Sequence, residues 1–389
     1  MIYLNHAATT YPKPQGVLDA LAAASQLPPA PQYRSGAELR RDADGDVFAR
    51  CRRNLARIAG LRGREERIYL SSGATDSANR LLHWLFSDPD ARYRIVTTET
   101  EHNSILRPLM NLPRFREGLC LVPCDRWGKV SMEALEAAVT EARADAVILN
   151  HCSNVTGAVQ DLSAAAALAH RHGALCIADC AQSAGCIEID AGEAEIDALI
   201  FTGHKSLFGP QGIGAYYVRS GLCLRPLLYG GTGRDSTRLV YEDPDSFEYE
   251  VGTQNGIGAA GLAAGTDYVL SLSIRQIRER ERALMRQLYE GLGALRGVTV
   301  FGDPEVCEGP VLSFALEGMK PADTAFILAS GYDITVRAGL HCAPLIHRRL
   351  GSAPDGTVRV SVSALTQPAE IAQFLDAVRE ISAAAESGR

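Results

Sequence analysis

Short apolar runs alternate with helical patterns from about Arg67 to Val218. The runs are Ile68-Tyr69-Leu70, Arg94 to Thr97, Leu119 to Val122, Ala146 to Leu149, Leu175 to Ala178, Ala198 to Phe201 and Ala215 to Val218. Apolar runs of this length, bounded by turn residues, predict buried strands of a parallel sheet. Helical spacing fits Ser77–Phe86, Ser131–Ala142 and Ser163–His172. Such alternation implies an α/β fold with a mostly parallel seven-stranded sheet and helices on both faces. Gly209 to Gly214 is too short for a crossover helix, which leaves the Ala215 strand to pair antiparallel with its predecessor.

The flanks read differently. Val17 to Leu27 predicts a helix, Pro28-Pro29-Ala30-Pro31 a rigid loop, and Ala37 to Leu61 a helix with a charged, solvated face. Residues 219–255 are loop-rich. One long helical stretch is expected from Gly258 to Leu295, its charged second half bridging domains. Strand, helix and strand signals at Gly309–Leu316, Ala322–Ser330 and Val358–Val362, then a last helix from Ala369, predict a smaller α+β unit.

Composition narrows the function. A chain of 389 residues exceeds one simple core. A net charge of -7 argues against a nucleic-acid surface. No apolar run reaches the roughly 18 residues of a membrane span. Met1 to His6 lacks the basic and apolar regions of a signal peptide, so a cytoplasmic location is expected. The ten cysteines are then reduced thiols, and none has the C-x2-C spacing of a zinc site. No metal is expected.

The candidate chemistry lies at strand ends, where open α/β sheets bind ligands. Ser71 to Thr75 follows a strand and opens a helix, a place for a phosphate or for an ordinary Ser72 or Thr75 N-cap. Asp179 ends a strand and, if buried, needs a positive partner; a helix N-cap is the plainer reading. His102 could stack on a flat ring and shuttle protons, or serve structure alone. Lys205 follows Ala198 to Thr202; in a dry crevice its amine is freed as a nucleophile toward a carbonyl. Jointly these four describe a pyridoxal 5′-phosphate site, in which Lys205 forms the Schiff base and Asp179 holds the pyridinium.

These motifs resemble the class V branch of the fold-type I pyridoxal-phosphate enzymes, and closely the SUF-type cysteine desulfurases, which include selenocysteine lyases. The likeness also covers Tyr3 to Thr9, Thr100 to Asn103, His151 to Gly157, Ala178 to Ser183, Thr202 to Lys205, Gly209 to Gly214, Gly252 to Asn255 and Arg337 to Cys342. It implies a large cofactor-binding domain at 14–268 and a small domain, 1–13 with 269–389, carrying the nucleophile loop. By the same resemblance Ala74, Thr75, Thr202 and His204 would hold the phosphate. His102 would stack on the ring, and Asn154 and Gln182 would bond the ring oxygen or substrate. Arg359 would clamp the substrate carboxylate. Thr253 would reach the phosphate of a neighbouring subunit, implying a homodimer.

Cys342 would be the nucleophile of a cysteine desulfurase. L-cysteine (or selenocysteine) would give L-alanine and a persulfide, passed to an acceptor protein or small thiol. Its surroundings, Ala338 to Pro344, read as a loop, with Arg337 and His341 placed to lower the thiol pKa. Without the family likeness, one more buried thiol among ten cysteines would be the plainer reading. Two departures stand out: Leu340 occupies the first position of the family's histidine pair, and one residue is missing between Cys342 and Pro344. The main alternative is another class V enzyme, an aminotransferase, epimerase or lyase, in which Cys342 is incidental. A carrier or scaffold without turnover is countered by Lys205 and Asp179. A dinucleotide enzyme is countered by the missing G-x-G-x-x-G.

Overall fold

The computed structural model describes residues 1–26, 46–222, 225–231, 237, 239–240 and 250–387. The Pro28 to Pro31 loop, positions 37–45 of the expected helix and most of 231–250 lie outside the described residues.

The strands, in chain order, are β1 (Ile2–Tyr3), β2 (Ile68–Ser71), β3 (Ile95–Thr98), β4 (Leu119–Val122), β5 (Ala146–Asn150), β6 (Leu175–Asp179), β7 (Ala198–Thr202), β8 (Gly214–Val218), β9 (Val298–Phe301), β10 (Val311–Leu316), β11 (Ile334–Thr335), β12 (Arg337–Gly339) and β13 (Thr357–Ser361). Seven of them form one sheet in the order β2-β8-β7-β6-β5-β3-β4. Only β8 runs antiparallel to its neighbours, as the short Gly209 to Gly214 connection requires.

Each predicted apolar run became a strand, and those in the middle of the sheet are covered on both faces, while edge strand β4 is half-buried. Along β5, Val147 and Leu149 enter one core with Leu55 and Leu262, while Ala146 and Ile148 enter the other with Trp84 and Phe115. Side chains alternate with a period of two, so a strand covered on both sides must be apolar throughout.

Helices Ala74–Leu85, Met132–Ala142 and Leu162–Arg171 stand close to their expected bounds. The stretch from 258 to 295 is not one helix. Gly256–Leu272 and Ile274–Gly293 meet at an 80° bend. Ser273 takes φ +64° there, and its hydroxyl accepts from Gln276 N at 3.3 Å. Ser273-Ile274-Arg275-Gln276 is the capping-box pattern that announces a new helix start. No single described helix is long and apolar enough to cross a membrane.

A second sheet, β12-β13-β10-β9, is antiparallel throughout, and β1 pairs with β11. Leu4, Leu288, Phe314 and Phe374 share its core. Helix Pro368–Ser387 closes the chain.

The helix Gly256–Leu272 also buttresses the turn after β7. A Cβ on Gly265 would stand 2.3 Å from Leu207 O and 2.8 Å from Gly209 N, both backbone atoms. Gly265→Ala should therefore destabilise the chain by about 1–3 kcal/mol, the range for overpacking a filled core. Chemical denaturation of the two proteins checks this.

Candidate active site

The main cavity, about 350 Å³, opens at the carboxyl ends of β2, β3, β5, β6 and β7. It is lined by Ala74, Thr75, His102, Asn154, Asp179, Gln182, Thr202, His204, Lys205 and Arg359. Residues from both ends of the chain thus meet at one sheet edge. Thr253 is exposed and lies outside this lining, in the segment before helix Gly256–Leu272. Cys342 also stands outside it, although its neighbours Arg337 and His341 line the wall.

The turn that carries Lys205 is held from the amino terminus. Thr10 Oγ1 donates to Lys205 O at 2.9 Å, and Thr10 N and Lys13 Nζ donate to His204 O at 2.9 and 3.0 Å. Burial pushes the Lys205 ammonium down to about 8; nearby Asp179 opposes this, and Arg359 and Arg337 add to it. Asp179 is buried at the end of β6 and accepts from Ala181 N at 2.9 Å. Burial raises its carboxyl, against the Ala181 bond and the Lys205 charge.

The helix Ala74–Leu85 starts from Gly73, at φ +147°, with no side-chain cap. The alternative reading of Ser72 or Thr75 as an ordinary N-cap is thereby corrected. Uncapped N–H groups and the helix dipole leave this end suited to an anion. His204 Nδ1 is buried without a protein partner.

His102 is itself the N-cap of helix Asn103–Asn111, and its Nδ1 accepts from Ser104 N at 3.0 Å. Burial, then the Lys205, Arg337 and Arg359 charges, push it down to about 3. The ring is neutral near pH 7, which suits stacking and not the carriage of a proton as imidazolium. Gln182 Nε2 donates to Ala7 O at 3.0 Å.

Arg359 is buried on β13, opposite Arg337 on β12. Its Nη1 donates to Asn154 O at 3.0 Å and its Nη2 to Asn5 Oδ1 at 3.3 Å. Nε is left buried without a partner. Burial lowers its pKa to about 9, and the Arg337 charge adds to this. A buried guanidinium bonded only to neutral oxygens is poorly compensated and favours an incoming carboxylate.

Arg337 Nη2 lies 3.5 Å from the half-buried Cys342 Sγ. His341 does not serve the thiol in the way its sequence position suggested. Its Nε2 is engaged with Thr357 Oγ1 and O at 3.0 and 3.1 Å, and burial drives its pKa down to about 2. It is neutral and turned to β13. Pro344 opens helix Pro344–Arg349 two residues after Cys342, which explains the short connection. Sequence reasoning missed Asn5 and Asn150 as parts of the cavity and its support, and it placed Arg337 beside the thiol without placing it on the cavity wall. The one available signal for Asn5 was its place in the Tyr3 to Thr9 motif.

No group of three described His, Cys, Asp or Glu residues could hold a metal ion. The nine described cysteines are free thiols.

A seven-stranded, mostly parallel sheet with lysine, acid and helix terminus at its carboxyl edge defines a fold-type I enzyme. The chain matches the family described as Aminotransferase class-V over residues 2–374 and belongs to it. A Pyrococcus abyssi protein named "Probable cysteine desulfurase" is 33% identical over 328 residues, 81% of this chain and 79% of that protein. A Pseudomonas putida protein of the same name is 33% identical over 97% of this chain and 92% of its own. Among solved structures, the apo cysteine desulfurase of Thermococcus onnurineus NA1 superposes with a TM-score of 0.86 at 30% identity, covering 98% of this chain and 95% of that one. The Escherichia coli cysteine desulfurase CsdA gives a TM-score of 0.82 at 27% identity, covering 97% and 94%.

Proposed function

We propose that this protein is a pyridoxal-phosphate-dependent cysteine desulfurase that moves sulfur from L-cysteine to Cys342 and releases L-alanine. The observation that carries the reading is the juxtaposition of Cys342, 3.5 Å from Arg337, with a cavity holding Lys205, Asp179 and Arg359. Relatives over nearly the whole chain bear that name.

The residues fit the cofactor. Asp179 is a buried carboxylate in want of a cation, the Gly73 helix start is uncapped, and His204 Nδ1 and Asn154 Oδ1 are buried without partners. Asp179 would hold the pyridine nitrogen. Ala74, Thr75, Thr202 and His204 would hold the phosphate, and His102 would cover the ring. When bound, the cofactor supplies an electron-withdrawing ring that acidifies Cα and loosens the bond between Cβ and sulfur. Lys205 Nζ, whose ammonium form burial disfavours, takes the proton from Cα. Arg359 orients the substrate through its carboxylate. Cys342 Sγ, 3.5 Å from Arg337 Nη2, receives the sulfur.

By the family resemblance, the chain forms a homodimer with Thr253 on the partner's phosphate, divides into domains at 14–268 and at 1–13 with 269–389, and passes its sulfur to an acceptor protein or small thiol. A cytoplasmic location suits the free thiols.

The test is to supply the purified chain with pyridoxal phosphate, L-cysteine and a dithiol reductant. Alanine and sulfide should appear in equal amounts. Pyruvate with ammonia, or transamination alone, would sink the reading. Arg359→Lys should raise KM for cysteine by about tenfold or more with a smaller fall in kcat. A point charge cannot replace a guanidinium fork on a carboxylate, and steady-state kinetics check this.

A further inference from the structure

The nucleophile turn adopts an unfavourable backbone. His341 at φ +50° and Cys342 at φ +59° are consecutive left-handed residues, just after Gly339 at +107° and Leu340. Residues with a Cβ resist this region, and such a pair persists only where its neighbours over-determine it.

Three hydrogen bonds do so. Ala343 N donates to Leu340 O at 2.9 Å within the turn, and Asn103 N donates to Cys342 O at 2.7 Å. Asn154 Nδ2 donates to His341 O at 2.6 Å. The last two come from segments following β3 and β5 of the large sheet, whereas the turn itself follows β12 of the small one. Asn103 acts through its main chain, so Asn154 is the side chain that ties the two together. Its own carbonyl accepts from Arg359 Nη1 at 3.0 Å. One residue therefore touches both the guanidinium on the cavity wall and the cysteine turn. Because Nδ2 faces a carbonyl, the amide has one sensible orientation. Oδ1 is then the atom left buried without a protein donor.

We propose that Asn154 is a positioning residue that latches the Cys342 turn to the cavity wall. It sets where the thiol stands relative to a substrate held at Arg359. The latch rests on the reading of Cys342 as nucleophile. Loss of one neutral hydrogen bond near the top of its usual range corresponds to about a tenfold change in the opening of the turn.

The experiment measures iodoacetamide alkylation of individual cysteines by mass spectrometry on the full chain. Cys120, half-buried on β4, is the internal reference. In Asn154→Ala, Cys342 should alkylate about tenfold faster with Cys120 unchanged. Asn154→Asp decides the matter if the alanine variant misfolds. It keeps the shape of the side chain but sets a carboxylate against the His341 carbonyl, so it should open the turn at least as much. A role in packing alone predicts no change in the aspartate variant. An aspartate rate within about twofold of the parent, or parallel acceleration of Cys120, overturns the proposal. If the desulfurase reading fails instead, the parent makes no alanine from cysteine while the alkylation contrast persists.

Discussion

Lys205→Ala should reduce alanine formation from L-cysteine by about 10⁴-fold, because it removes both a covalent anchor and a general base. The chain should still fold. The turn is held through its main-chain carbonyls and not through the Lys205 side chain: the Lys205 carbonyl accepts from Thr10 Oγ1, and the His204 carbonyl accepts from Thr10 N and Lys13 Nζ. Circular dichroism should therefore match the parent. Borohydride treatment followed by mass spectrometry should find cofactor bound to residue 205 in the parent and none in the variant. Retained turnover would remove Lys205 from the chemistry.

A pH signature belongs to the same lysine. The reactive form is the neutral amine, and burial places its pKa at about 8 in the cofactor-free chain. Uptake of pyridoxal phosphate should quicken as pH rises toward 8 and level off above it. Asp179 holds the Lys205 pKa up. Asp179→Asn should thus move that midpoint to lower pH while weakening retention of the cofactor. Stopped-flow absorbance at several pH values would check both.

Cys342→Ala should take alanine and sulfide production from cysteine to background while leaving the cofactor bound. The two halves separate because Cys342 lies outside the cavity lining, while Lys205, Asp179 and the Gly73 helix start lie within it. Cys342→Ser should fare no better. A thiolate attacks sulfur near neutral pH, whereas a serine hydroxyl stays protonated there. The guanidinium of Arg337 would then face a neutral oxygen in place of Sγ. After one cycle without reductant, the parent should carry about 32 mass units of extra sulfur, one atom, on Cys342. Undiminished alanine formation by the alanine variant would transfer the activity to another class V chemistry.

Much of this site was legible in the chain. Lys205, Asp179, His102 and Thr75 each follow a short apolar run, and a parallel sheet brings the ends of its strands to one edge. Local pattern and a general topological rule sufficed to gather them. The helix break at Ser273 was equally visible in its capping pattern, yet helical spacing on both sides masked it. Strands β11 and β12, of two and three residues, are too short for periodicity to register. Their hydrogen bonding comes from partners far away in sequence.

The apolar character of the seven runs, and with it the sheet and the lysine's edge position, is a property the sequence determines by itself. An apolar strand covered on both faces has few other ways to leave water. The placement of Arg337, Arg359 and Cys342 was decided only by tertiary structure. These residues belong to the small antiparallel sheet and the turn beyond it, and no local pattern fixes how that sheet sits on the large one. Their environments were decided there as well. His341 spends its hydrogen bonds on Thr357, Arg337 stands beside the thiol, and Asn154 reaches the turn from 187 positions away. Charge and hydrogen-bond geometry depend on which side chains meet in space, and only the folded packing brings these together.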